Sequence, residues 1–447
     1  MLASASVFFI QTTAAAPIPL QPKDGVIVTI PATAHPLIDW TEDGVAHSAR
    51  WRSESGNPAP RRVVIADDRT TADAAYRLAR AGTAMLWRGD FQNARQLLQA
   101  LTRRVEGKPT PKTASAAPRS ASIAPGEAFN LHRQAQARRA QTLAMLLLPL
   151  ESDYSIPLRR APDLRQACEE AYGPGDGSSA GPSVLALREL LGLISAHEWR
   201  KRGVEVPALG ARIHPHYGVF APIRGEYVGL VAEAPLPSQK KDAGFSRFAR
   251  LVSAEAPTTP LPALELAFDI GTGTGVLAAV LARRGVARIV ATDQDPRALA
   301  CARENLARLG LSGQVEVIQA DLFPAGCAPL VVCNPPWLPA RPSSTIESAV
   351  YDPDSRMLLG FINGLAAHLT PGGEGWLVLS DLAEHLGLRS RAELLAAFDA
   401  AGLEVLGRDD VRPQHPRASD PADPLHAARA AERTSLWRLA ARRPDPV

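Results

Sequence analysis

Asn334, Pro335, Pro336 and Trp337 follow an apolar run, and together they could hold a planar nitrogen. The lone pair of an amide or exocyclic amino nitrogen is delocalised into its neighbour, so any transfer to that atom requires the lone pair to be aimed. An Asn side-chain oxygen and a carbonyl of the Pro-Pro backbone can accept the two N–H bonds while an aromatic ring stacks on the planar group. Tandem prolines fix the backbone, so the carbonyl is aimed in advance. An isolated tetrapeptide of this kind is most often a proline turn that ends a strand.

A second group of residues suits a ligand. In LAFDIGTGTGVLAAVLARRG a strand-like run feeds Gly271, Thr272, Gly273 and Gly275 and then a helix, so backbone N–H groups can face a ligand that approaches closely. A glycine turn alone is a weak signal. The next strand-like run ends at Asp293, placed to accept from two ribose hydroxyls; Asp295 competes for that role, although its place before Pro296 also suits a helix cap. The third run ends at Asp321, an acceptor for an adenine amino group, with Leu322 and Phe323 beside the ring. His214 and His216 bracket Pro215, yet no third ligand lies at suitable spacing, so no metal is expected.

These residues need a sheet to position them. LELAFDIG, ARIVATD, QVEVIQAD, PLVVCNPPW and GEGWLVLSD are five apolar runs mostly separated by helical stretches, the pattern of a parallel sheet with helices on both faces. LEVLGRD and TSLWRLA, joined by a long polar loop, predict an antiparallel terminal pair. That loop, 411–433, could arch over the site through Arg412, His415 and Arg417, or be a solvated insertion. Ahead of the sheet, residues 1–61 read as a loosely ordered arm with one short strand in GVIVTI, and 62–205 as a mainly helical accessory domain. In that stretch helical spacing appears in TADAAYRLARAG, in GDFQNARQLLQALTRRV, from about Ala128 to Leu148, and from Pro182 to Arg202. The segment 106–125, with four prolines, is expected to be a mobile linker. The cofactor-type domain is expected to occupy 206–447.

Composition sets bounds on partners. A chain of 447 residues with 46% hydrophobic residues suits two or three compact units. Net charge is +3, and the small basic excess sits in residues 1–205, far short of the basic stripe of a dedicated nucleic-acid binder. Cys168, Cys301, Cys327 and Cys333 have no metal-ligand or disulfide-framework spacing, which points to a reducing cytoplasm. Neither a signal peptide nor a membrane span is expected.

The glycine turn, the acidic strand ends and the NPPW motif together resemble the class I S-adenosylmethionine-dependent methyltransferases over roughly Ile213 onward, about half the chain. The resemblance implies a Rossmann-like seven-stranded sheet in an α/β fold, S-adenosylmethionine as cofactor, and a role for Asp269 in holding its methionine amino group. An NPP-aromatic tetrapeptide is similar to that of amino-group methyltransferases acting on adenine, on guanine or on a glutamine amide, with Tyr or Phe the commoner last residue. The connector GVFAPIRGEY looks like the segment preceding the cofactor domain in release-factor glutamine methyltransferases and small-domain ribosomal RNA methyltransferases, with Phe220, Arg224 and Glu226 near the methionine end. The expected acceptor is therefore a planar nitrogen on a macromolecule, either ribosomal RNA or a protein such as a release factor. A catalytically silent module that binds RNA or protein, and a nicotinamide oxidoreductase, are the rival readings.

Overall fold

A computed structural model describes residues 36–107, 124–175, 181–223, 225–237, 264–342, 347, 349–413, 420 and 423–442. The expected strand at Gly25–Ile30 and most of the 106–125 segment lie outside these residues.

The front half is built on strands β1 (Leu37–Glu42), β2 (Val45–Arg52), β3 (Val63–Ala66), β4 (Ala84–Trp87), β5 (Leu146–Leu150) and β6 (Ser183–Ala186). They form one six-stranded mixed sheet in the order β1-β2-β6-β5-β4-β3. Helices α1 (Ala72–Arg80), α2 (Phe91–Val105), α3 (Pro125–Leu143), α4 (Arg165–Tyr172) and α5 (Leu187–Arg202) connect them. This corrects the mainly helical domain. The runs AMLW, LLLPL and SVLA are only four or five residues long and are buried at every position, so they carry no period-two signal and read as extensions of adjoining helices. The helix expected to run to Leu148 ends at Leu143, and that expected from Pro182 begins at Leu187. The arm is corrected too, since β1 and β2 lie in the front sheet. Helix starts follow local chemistry: Thr71 accepts from the Ala74 N–H and Asp90 from the Gln92 N–H.

A hairpin of β7 (Val204–Val206) and β8 (Ala211–Ile213) then leads to α6 (Glu226–Glu233), so the expected boundary at 206 falls inside the hairpin. The rear sheet contains β9 (Leu264–Ile270), β10 (Val286–Asp293), β11 (Val315–Gln319), β12 (Ala328–Cys333), β13 (Leu369–Ser380), β14 (Leu403–Val411) and β15 (Thr434–Ala441). Its helices are α7 (Val276–Arg283), α8 (Pro296–Arg308), α9 (Arg356–Leu365), α10 (Leu382–His385), α11 (Arg391–Ala400) and α12 (His426–Ala431). The strand order is β11-β10-β9-β12-β13-β15-β14, the first five parallel and β15 antiparallel to both of its neighbours. All seven expected strands are present with the antiparallel end. The 411–433 loop is partly helical, through α12.

Strand order reverses between β9 and β12, the topological point at whose carboxyl edge open α/β sheets bind their ligands. The halves meet through α8 and the hairpin. Arg297 reaches Glu54 at 2.8 Å and the Ala171 carbonyl at 3.1 Å. Glu304 accepts from Arg200 at 2.7 Å and lies 2.7 Å from His216 Nε2. Against the cost of burial, hydrogen bonds from Arg308 and His216 and the charge of Arg200 hold its carboxyl at about 2.

Candidate active site

Ile270 and Cys333 are register partners on β9 and β12. Gly271 and Asn334 therefore leave the sheet side by side, separated by about the 5 Å of adjacent strands. Gly271, Gly273 and Gly275 all have positive φ, of 69°, 55° and 80°. At Gly275 a Cβ would also stand 3.3 Å from the Cα of Ala302, so glycine is what lets α7 start against α8.

Two acids brace this loop. Asp269 is 1% exposed, and its Oδ2 accepts from the Thr272 hydroxyl at 2.7 Å and the Ala278 N–H at 3.1 Å. Burial pushes its carboxyl up to about 6 despite those two bonds. Asp293 Oδ2 accepts from the Gly273 N–H at 3.0 Å and its Oδ1 from the Asp295 N–H at 3.0 Å. Burial raises its carboxyl as well. Asp295 caps α8 by accepting from the Arg297 N–H at 2.9 Å, which gives it the helix-cap role and leaves Asp293 at the strand end.

At the end of β11, Asp321 is exposed, accepts from Gln294, and lies 3.4 Å from Arg356. Leu322 has φ of 71°, and its carbonyl accepts from the Thr292 hydroxyl, which pins the turn. Phe323 is committed elsewhere: its ring stacks on His368 at 4.2 Å and on Phe361 at 5.8 Å, so it packs on α9.

In NPPW, Pro335 is buried and Asn334, Pro336 and Trp337 are half-buried. Trp337 packs against the apolar cores on both faces of the rear sheet, and its indole N–H donates to Asn334 Oδ1 at 2.9 Å. The segment that follows is held by residues that carry no motif. Leu338 bridges to Tyr351, and its carbonyl accepts from the Asp352 N–H at 2.8 Å. Buried Asp352 accepts from the N–H groups of Met357 and Leu358 at the start of α9. An Asp just ahead of a helical run was the available signal for it. From the front half, Phe129 shares a cluster with Leu338, and the Arg133 guanidinium lies 4.1 Å over the Tyr351 ring.

The remaining candidates are dispersed. Phe220 tilts onto Tyr227, Glu226 opens α6, and Arg412 is exposed beyond β14. Arg224, His415 and Arg417 lie outside the described residues. His214 bonds Asn305 and the Arg200 carbonyl, and His216 bonds Glu304, so both serve the junction between the halves. Among the described residues there is no His, Cys, Asp and Glu group that could hold a metal, and no helix is long and apolar enough to cross a membrane.

Residues 257–401 match the family described as Methyltransferase small domain. The chain is 36% identical over 146 residues to a ribosomal protein L11 methyltransferase of Pelotomaculum thermopropionicum, covering 32% of this chain and 39% of that protein. It is 35% identical over 159 residues to a release factor glutamine methyltransferase of Cereibacter sphaeroides, covering 32% of this chain and 56% of that protein. The chain thus spans about half or less of the length of these relatives. A solved ribosomal protein L11 methylase from Lactobacillus delbrueckii subsp. bulgaricus is 19% identical, with 42% of this chain and 73% of that chain covered at a TM-score of 0.27.

Proposed function

We propose that this chain, whose residues 257–401 match the methyltransferase small domain, is an S-adenosylmethionine-dependent N-methyltransferase that modifies a planar amide or amino nitrogen of a macromolecule. The observation that carries the reading is the side-by-side exit of Gly271 and Asn334 from paired strands, which brings the glycine loop alongside the NPPW turn. The residues fit the cofactor by their chemistry. The glycine loop gives close approach, while Asp293 and Asp321 stand at the next two strand ends as acceptors for ribose hydroxyls and an adenine amino group. When bound, the cofactor supplies a methyl group already activated by its sulfonium charge.

The chain's own task is then to bind and orient. Asn334 Oδ1 and the Pro335 carbonyl accept the two N–H bonds and turn the nitrogen lone pair toward the donor. Trp337 lines the same turn. The nitrogen sheds its proton readily once methylated, so no strong general base is required. Both curated relatives are named for protein acceptors, which favours a protein over an RNA base as the macromolecule here.

Incubating the purified chain with tritiated S-adenosylmethionine and lysate of a deletion strain tests this. Label removed by protease and resistant to RNase is the expected result. RNase-sensitive label would overturn the protein acceptor, and calorimetric binding of NADH with none of S-adenosylmethionine would overturn the methyl-transfer reading. Asn334→Ala should lower transfer by about 10²-fold or more while leaving cofactor affinity intact.

A further inference from the structure

We propose that Trp337 is a positioning residue that fixes the Asn334 carboxamide in one orientation, so that the site selects nitrogens bearing an acceptor atom beside them. The inference rests on the methyl-transfer reading. An indole N–H can only donate, and here it stands 2.9 Å from Asn334 Oδ1. An amide NH2 cannot receive that bond, so Asn334 must turn its oxygen toward the indole. Trp337 cannot follow a rotating amide, because its ring is wedged against apolar residues on both faces of the sheet and the chain before it runs through buried Pro335.

One lone pair of Oδ1 is then engaged by the indole and the other is left for an incoming N–H. The Nδ2 amino group faces away from the indole and has no protein partner among the described residues. Asn334 therefore offers an acceptor and a donor side by side. A carboxamide, or an amino group next to a ring nitrogen, answers both at once: its N–H meets Oδ1 and its carbonyl oxygen or ring nitrogen meets Nδ2–H. An alkylamine leaves Nδ2 unanswered. In this chain Trp337→Phe keeps an aromatic face and removes the one side-chain hydrogen bond that Asn334 makes among the described residues, so its carboxamide is free to turn its NH2 toward the substrate, where it repels an N–H.

The test compares the full-length wild type with Trp337→Phe and with a chain carrying 3-benzothienylalanine at 337, which keeps the bicyclic outline and lacks the N–H. Transfer to the labelled lysate fraction should fall about tenfold in kcat in both, the equivalent of one hydrogen bond. The Kd for S-adenosylhomocysteine should stay unchanged. Unchanged kcat in the benzothienyl chain, or an equal loss of cofactor affinity, would overturn the proposal, the latter because it marks a packing role. Mass spectrometry of the product should place the methyl group on a carboxamide or ring amino group, and methyl on a lysine side chain would overturn the selectivity. In 15N-labelled protein the Trp337 indole resonance should shift and exchange faster in Asn334→Ala; an unmoved resonance would overturn the contact. This last arm needs no acceptor, so a wild type that labels nothing refutes methyl transfer and leaves the clamp separately tested.

Discussion

Replacing Asp269 by Asn should make the protein more stable at neutral pH. The carboxyl is 1% exposed, and burial lifts it from 3.8 to about 6. Because the folded pKa lies above the unfolded one, the folded state holds more protons between those values, and stability falls as pH rises through that window. Above about pH 6 the ionised carboxylate remains buried, and a shift of about two units costs roughly 3 kcal/mol at 1.4 kcal/mol per unit. Asn keeps an oxygen for the Thr272 hydroxyl and the Ala278 N–H and carries no charge. Its gain at pH 7.5 is therefore up to about 3 kcal/mol, less what the charge-assisted bonds contributed, or a rise in Tm of up to roughly 10 °C for a domain of this size. Thermal melts of both proteins at pH 4.5, 6 and 7.5 read this out. An Asp269→Asn protein that melts below wild type at pH 7.5, and keeps the wild-type fall in stability between pH 4.5 and 6, refutes the reasoning. Calorimetry on the same protein asks whether the carboxylate also serves the cofactor, since a direct contact would weaken binding even as Tm rises.

Two further substitutions probe the scaffold. Gly275→Ala puts a Cβ at φ of 80° and 3.3 Å from Ala302, so it should destabilise the rear domain by about 1–2 kcal/mol, visible as a lowered Tm. Arg297→Ala removes the bonds to Glu54 and to the Ala171 carbonyl, and should cost about 1 kcal/mol and speed proteolysis at the junction of the halves, with the melting of the rear sheet little changed.

The rear sheet was legible because each of its strands was separated by a helix or turn with its own signature, and because the chemistry sat at strand ends. Gly271, Asp293, Asp321 and Asn334 are all close to the carboxyl edge that the alternation of strands and helices predicts. The front sheet was hidden for a physical reason. Met85, Leu86, Leu147 and Leu148 are fully buried on both faces of very short strands, and such runs have the composition of a buried helix segment. What the motifs could not convey was how their members spend their polar atoms. Asp293 holds the Gly273 N–H, Phe323 stacks on His368, and Trp337 bonds Asn334; each of these depends on which neighbour the fold brings close. Asp352 had no motif at all, although it ties the segment after NPPW to α9.

The position of β15 bears on how this domain can be assembled. Residues 434–441 come after every other described strand, yet they fill the slot between β13 and β14. Until they arrive, both neighbours present an unpaired edge, and the long-range pairings that close the sheet cannot form. The front sheet has no such dependence, since its last strand is made by residue 186. Synthesis should thus yield a folded front half attached to a rear half that is open and prone to mispairing, and the nascent rear domain would be the part in need of chaperone protection.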